Sequence, residues 1–358
     1  MNTPNHIAVL GFRPGAGGIA RVMVDLISGW QALGVHVDLL LPPGDYPDLA
    51  AVVQPPTVVK IHDAAQLQAY CATQRPDALL SNKDHTSAWL AASAVDAPWW
   101  CRIGSDVREK IARQPFWRRR AYAQGLRHTY RHASGLIANS QGVADSLKWL
   151  LGADCPPLCV IPNPLDLARL QRLAAAPVTH PWFQSRGQPL IVGCGRLVAV
   201  KDFAGLIDAV AKLRCHHSNA RLVIFGEGRQ RAALQRHIRR QGLTDVVDLP
   251  GFTDNFFAHV SRADLFVLSS RYEGSPNVLI EALACGAPCV ATDCRSGPAE
   301  ILEQGRYGQL VPVGDRAALA EAMAATLADP GDAATRMAAI ARRFDRHTNA
   351  LAYLQALS

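Results

Sequence analysis

The sequence predicts an α/β protein of two doubly wound domains, each a parallel sheet covered by helices, with a cleft between them. Three observations carry this. The chain has 358 residues, about twice the usual length of one domain. Short apolar runs alternate with stretches whose apolar residues recur at helical spacing, the pattern of βαβ units. That rhythm breaks once, after Ile161-Pro162-Asn163-Pro164, across the proline-bearing stretch 172–189, and then restarts.

Taken in order, residues 7–12 read as the first strand. Residues 19–32 follow as a helix, with Ile19, Val22, Met23, Leu26, Ile27 and Trp30 on its apolar side and Gly34 as its stop. Strands are expected at 35–41, 78–80, 99–103 and 136–138, with helices at 86–95 and 143–150. Beyond the break, strands are expected at 190–194, 222–225, 246–249, 265–268 and 288–292, and helices at 203–213 and 230–241. This gives a first domain over 1–171, a linker over 172–189 and a second domain over 190–341. A closing helix over 342–358 returns to the first domain.

Apolar residues make up 49% and charged residues 19% of the chain, which excludes wholesale disorder. No apolar run approaches the ~18 residues of a membrane-spanning helix, and residues 1–6 lack a secretory leader, so a cytoplasmic location is expected. Nine cysteines without a Cys-x2-Cys pair do not form a disulfide framework and read as small buried hydrophobes. The net charge of +7 is concentrated: 106–132 carries eight cations against two anions.

The most informative segment runs from Arg271 to Pro288. Ser275 is expected as N-cap and Pro276 as first helical residue. The amides of Asn277, Val278 and Leu279 then face the cleft at the positive end of a helix, a ready diphosphate site. Glu273 lies just before the helix and Glu281 one turn inside it. Two carboxylates beside a phosphate site need another partner, and vicinal hydroxyls of a sugar and a ribose supply one. The alternative is a well-capped helix whose glutamates face solvent. A second cluster, Gly193 to Phe203, places Arg196 and Lys201 across a strand-to-helix loop, where both reach one diphosphate. A third, Gly11 to Gly18, is a glycine loop after the first strand. There Gly15, Gly17 and Ala20 fit a weak dinucleotide fingerprint whose acidic partner would be Asp38.

These elements together resemble the retaining glycosyltransferases of family four, which have the GT-B fold of two Rossmann-like domains. The matching residues are Gly17 and Gly18; Val160 to Asp166; Gly195-Arg196-Leu197 with Lys201-Asp202-Phe203; Phe225-Gly226-Glu227-Gly228; Leu249-Pro250-Gly251-Phe252; and the Glu273/Glu281 pair. The resemblance implies a sugar transferase whose co-substrate is a nucleoside-diphosphate sugar, uridine more than guanosine, without metal or other cofactor. It implies that Arg196 and Lys201 hold the diphosphate. Glu273 contacts the donor sugar, and Glu281 the ribose. Asn277, Val278 and Leu279 give amides to the phosphates, Gly17 and Gly18 approach them, and Gly226, Gly251 and Phe252 border the base.

One departure stands out. Many relatives carry a histidine in a first-domain loop that corresponds here to Arg102-Ile103-Gly104-Ser105-Asp106. Ser105 and Asp106 are candidates to replace it, as are Lys83 and His85 after another strand. His85 reads equally as a structural residue at a helix start. No general base is named.

The basic, aromatic stretch 113–132 reads as a peripheral attachment to anionic lipid at the inner face of the cell membrane. A solvated arginine-rich helix is the alternative, and without a recognised module no nucleic acid partner is expected. The implied acceptor is a lipid-linked or cell-envelope glycan. Two other function classes stay open: a two-domain sugar-nucleotide epimerase or NAD-dependent oxidoreductase, and a basic peripheral binding protein without catalysis.

Overall fold

The computed structural model describes residues 3–12, 17–44, 57–184, 187–215 and 219–358. The chain divides into two compact units: Met1–Leu165 with Phe344–Ser358, and Asp166–Arg343.

The first unit is built on strands β1 (His6–Leu10), β2 (His36–Leu41), β3 (Thr57–Lys60), β4 (Ala78–Ser81), β5 (Trp99–Ile103), β6 (Gly135–Ala138) and β7 (Leu158–Val160). They form one sheet in the order β3-β2-β1-β4-β5-β6-β7, and every pair is parallel. Both faces are covered. Ala8 and Leu10 of β1 join one apolar cluster, whereas Ile7 and Val9 join another on the opposite face. This is why the strands read as continuous apolar runs rather than alternating ones.

The helix Gly18–Ala32 buries Val22, Met23, Leu26, Ile27 and Trp30, each such burial contributing about 1.5–3 kcal/mol before entropy. Ile19, expected on that stripe, is exposed in the first turn of the helix. The helix Arg346–Leu357 packs against Gly18–Ala32. Trp30 Nε1 donates to the Ala350 carbonyl at 3.1 Å, and Arg102 Nε donates to the Tyr353 hydroxyl at 3.0 Å.

The second unit carries β8 (Leu190–Cys194), β9 (Arg221–Phe225), β10 (Val247–Gly251), β11 (Leu265–Leu268), β12 (Cys289–Thr292) and β13 (Gln309–Val311). Their order is β10-β9-β8-β11-β12-β13, again parallel throughout.

The segment expected to be a linker begins within a helix and carries a short helical turn at Pro181–Phe183. The helix Leu167–Ala174 buries Leu170 and belongs to the second unit, so the division falls at residue 165 rather than 171. Its last carbonyls accept from Asn255 Nδ2 (to Leu173, 2.8 Å) and Arg262 Nη1 (to Ala174, 3.0 Å). Further on, Phe183 packs on the rings of Phe225 and His259. Prolines broke the periodicity there without freeing the chain.

Candidate active site

In a doubly wound sheet, ligands bind beyond the carboxyl ends of the strands where the strand order reverses. In the second unit that point lies between β8 and β11, and the two richest motifs of the sequence leave from it. Lys201 Nζ donates to Glu273 Oε1 at 2.5 Å, and Ser270 Oγ donates to the same oxygen at 2.6 Å. Backbone contacts hold the loops at this spacing: Arg271 N donates to the Val200 carbonyl at 2.8 Å, and Ser269 Oγ to the Lys201 carbonyl at 2.8 Å. Arg271 also pairs with Asp202 at 3.0 Å. Glu273 is therefore ion-paired and not turned to solvent. Arg196 is exposed, and its guanidinium makes no ion pair or hydrogen bond among the described residues.

The helix after Glu273 runs over Asn277–Ala284, with Pro276 rather than Ser275 as its N-cap and no side-chain cap. The proline takes an extended conformation and accepts from the helix instead of entering it. The Leu279 amide donates to the Pro276 carbonyl at 3.0 Å, so Leu279 is not one of the outward-facing amides. Asn277 and Val278 precede the helical ladder. Glu281, one turn in, is 3% exposed. The neighbouring Cys285 thiol is pushed up to about 12, by burial first and by the Glu281 charge second.

Three loops are knitted together at the same edge. Gly195 N donates to the Phe225 carbonyl at 2.9 Å, Gly226 N to the Gly251 carbonyl at 2.7 Å, and Leu197 N to the Glu227 carbonyl at 2.8 Å. Gly226 has φ +141°, and a Cβ there would overlap the Gly195 carbonyl oxygen; only glycine fits. Gly226 and Gly251 thus build the platform that carries Arg196. Phe252, just beyond β10, is exposed.

In the first unit the order reverses between β1 and β4. Gly17, exposed at φ +147°, is the N-cap of Gly18–Ala32. Residues 13–16 of the glycine loop, including Gly15 of the dinucleotide fingerprint, lie outside the described residues. The acidic partner of that fingerprint fails on its own terms. Asp38 is buried in β2 and hydrogen-bonded by His6, His36 and Tyr70.

Lys83 and His85 are exposed at the start of the helix Asp84–Ala92, with the His85 ring edge-on to Trp89. Ser105 is half-buried. Asp106 does not stand in for the missing histidine. It is fully buried and caps the helix Val107–Ala112, accepting from the amides of Arg108 at 2.8 Å and Glu109 at 3.2 Å. The spacing Asp106-x-x-Glu109 is a capping-box signal that was present in the sequence.

Asp84, of the same standing as Lys83 in the sequence, gathers three donors beside these candidates. Asp84 accepts from Lys110 Nζ at 3.0 Å, Tyr130 at 2.8 Å and Tyr122 at 3.2 Å. Burial alone would raise the Asp84 carboxyl, but the Lys110 charge and these donors outweigh it and hold it low. Burial pushes the Tyr122 phenol up to about 12. Among the described residues, the ligand atoms of His6, His36 and Asp38 lie within 4.8 Å of one another.

The chain matches the family described as "Glycosyl transferases group 1" over residues 188–329, and a "Glycosyl transferase 4-like domain" over residues 17–164. Among curated relatives, it is 38% identical over 186 residues to an exopolysaccharide phosphotransferase of Streptomyces coelicolor, covering 51% of this chain and 19% of that one. It is 30% identical over 200 residues to the N-acetylgalactosamine-N,N'-diacetylbacillosaminyl-diphospho-undecaprenol 4-alpha-N-acetylgalactosaminyltransferase of Campylobacter jejuni, covering 56% of this chain and 52% of the enzyme. The matches thus span between a fifth and about half of these relatives' lengths. Among solved structures, Anabaena HepE in complex with UDP-glucose superimposes with a TM-score of 0.81 at 21% identity over 98% of each chain, a likeness of fold. With both characteristic domains present in family order, on two parallel sheets of the GT-B type, the chain belongs to the family-four, group 1 glycosyltransferases.

Proposed function

We propose that this protein transfers a hexose from a nucleoside diphosphate, uridine rather than guanosine, to a lipid-linked or cell-envelope glycan, with retention and without a metal. The observation that carries this reading is the Lys201–Glu273 pair at the carboxyl ends of β8 and β11, with the Arg196 guanidinium, which makes no ion pair among the described residues, on the adjoining loop. Lys201 is neutralised within the protein, so Arg196 supplies the surplus positive charge for a diphosphate. As the bond from the anomeric carbon to the phosphate oxygen breaks, its electron pair moves onto that oxygen. A fixed guanidinium and ammonium stabilise the charge there better than in the ground state. The acceptor hydroxyl bonds to the same face of the anomeric carbon, and its proton passes to the departing phosphate. Glu273, held by Lys201 and Ser270, accepts from hydroxyls of the donor sugar, and the buried Glu281 from the ribose.

The uridine preference is supported by the UDP-glucose in the HepE complex, and the envelope acceptor by the undecaprenol diphosphate in the Campylobacter enzyme's name. A membrane-surface location is supported by the helix Phe116–Arg131, where Phe116 and Trp117 are 77% and 68% exposed beside exposed Arg118, Arg119 and Arg120. No described helix is long and apolar enough to cross a membrane.

The test is release of nucleoside diphosphate from a panel of UDP- and GDP-sugars, run with a chelator present. Slow hydrolysis of at least one UDP-sugar, kept under chelation and lost in Lys201→Ala, is expected. Absence of both binding and hydrolysis across the panel overturns the reading.

A further inference from the structure

We infer that His6, His36 and Asp38 form a binding site for a first-row divalent metal of the Zn²⁺ class, at the amino-terminal ends of β1 and β2 in the first sheet. The site is written by strand register. His6 opens β1 and His36 opens β2, and the parallel pairing sets them directly opposite each other. Asp38 follows His36 by two residues, so all three side chains leave the same face of the sheet. Their ligand atoms lie within 4.8 Å of one another. His36 Nε2 is 3.0 Å from Asp38 Oδ1, and His6 Nε2 is 2.9 Å from Asp38 Oδ2.

Two imidazole nitrogens and one carboxylate suit zinc and its neighbours rather than calcium or magnesium, which prefer all-oxygen shells. The carboxylate is already oriented. Asp38 is 2% exposed, and the Tyr70 hydroxyl donates to its Oδ2 at 2.5 Å, the kind of outer contact that fixes a ligating carboxylate. Tyr70 lies on the helix Ala64–Gln74, so an ion there links β1, β2 and that helix. A cleft of about 490 Å³ opens on the cluster, lined by His36, Asp38, Gln66 and Tyr70 among others. It leaves room for a water or a further ligand in the remaining coordination position, as three-ligand zinc sites have.

The location separates this site from sugar transfer. The active-site candidates sit at the carboxyl ends of the strands, whereas His6 and His36 are the first residues of β1 and β2. The ion therefore acts on the stability of the first unit and not on the reacting bond.

The experiment uses the full chain, stripped with a chelator and titrated with Zn²⁺ and, for its visible ligand-field bands, with Co²⁺. Wild type is expected to take up one equivalent that His36→Ala and His6→Gln do not, with Co²⁺ bands of a nitrogen- and oxygen-ligated ion. The melting temperature should rise with Zn²⁺ in wild type only. His36 is 57% exposed at its side chain, so His36→Ala keeps the core intact, and circular dichroism verifies that. Equal uptake by wild type and His36→Ala, or no stoichiometric uptake by wild type, overturns the site.

Discussion

Lys201 and Glu273 face each other at 2.5 Å across the strand reversal of the second sheet, so one contact joins the loop after β8 to the loop after β11. Both side chains are largely buried. Removing the ammonium leaves the Glu273 charge uncompensated beside the Ser270 hydroxyl, and that charge then cancels the surplus positive charge of Arg196 where a diphosphate is to bind. Lys201→Ala is therefore expected to lower kcat/KM for the donor by about 10²–10³-fold, the range for loss of one fixed donor to a developing anion. Glu273→Gln retains a hydrogen-bond acceptor for Lys201 and loses less. Steady-state kinetics on both variants, with circular dichroism as the fold control, checks this; Lys201→Ala at wild-type rate excludes the assignment.

Gly195 tests the same site through the backbone. It has φ +152°, and a Cβ there would stand 3.2 Å from Lys201 Cε. Gly195→Ala strains the backbone by about 1 kcal/mol or more and pushes the lysine stem away from Glu273. The expected signature is a fall in kcat well beyond the change in unfolding free energy. Equal activity in a folded Gly195→Ala variant would show that the position of Lys201 is not critical.

The central strands and the donor loops were readable because each carries a local signal: continuous apolar runs, then glycine and a charged residue at a strand end. The edge strands β3, β7 and β13 were not. They span three or four residues, and Thr57, Val58 and Lys60 are exposed, so no buried run marks them. Asp106 carries a local capping signal, Glu109 three residues on, but its burial, which sets it apart from the candidate Ser105, comes from tertiary packing. His6, His36 and Asp38 meet only through the pairing of β1 with β2, and register between strands is not written in a local pattern.

The Asp84 cluster gives a pH prediction whose sign follows from the direction of its shift. Folding holds this carboxyl below its ordinary 3.8. Its contribution is therefore complete above that value and is lost as pH falls through the lower, folded one. Asp84→Asn is expected to destabilise the first unit at neutral pH by about 1–2 kcal/mol, a charged hydrogen-bond loss discounted for partial exposure. The gap to wild type should narrow steadily below pH 3.8. Urea denaturation at a series of pH values from acid to neutral measures it; a gap that widens on acidification contradicts the assignment of Lys110, Tyr122 and Tyr130 as donors to a carboxylate.

The helix Phe116–Arg131 separates attachment from mere basicity, because its charges and its aromatics can be removed independently. Leu126, Thr129 and Tyr130 anchor it to the first unit, while Phe116 and Trp117 stand out from the surface. Three arginines near an anionic bilayer contribute about 3 kcal/mol together, on the order of 100-fold in affinity. Replacing Arg118, Arg119 and Arg120 with Ser should abolish sedimentation with phosphatidylglycerol vesicles, and raised salt should mimic it. Phe116→Ser with Trp117→Ser removes the apolar wedge but leaves the charge, so binding should weaken and become fully salt-sensitive. A solvated helix predicts no difference among the three proteins and none between anionic and zwitterionic vesicles, and that result would move the acceptor off the membrane surface.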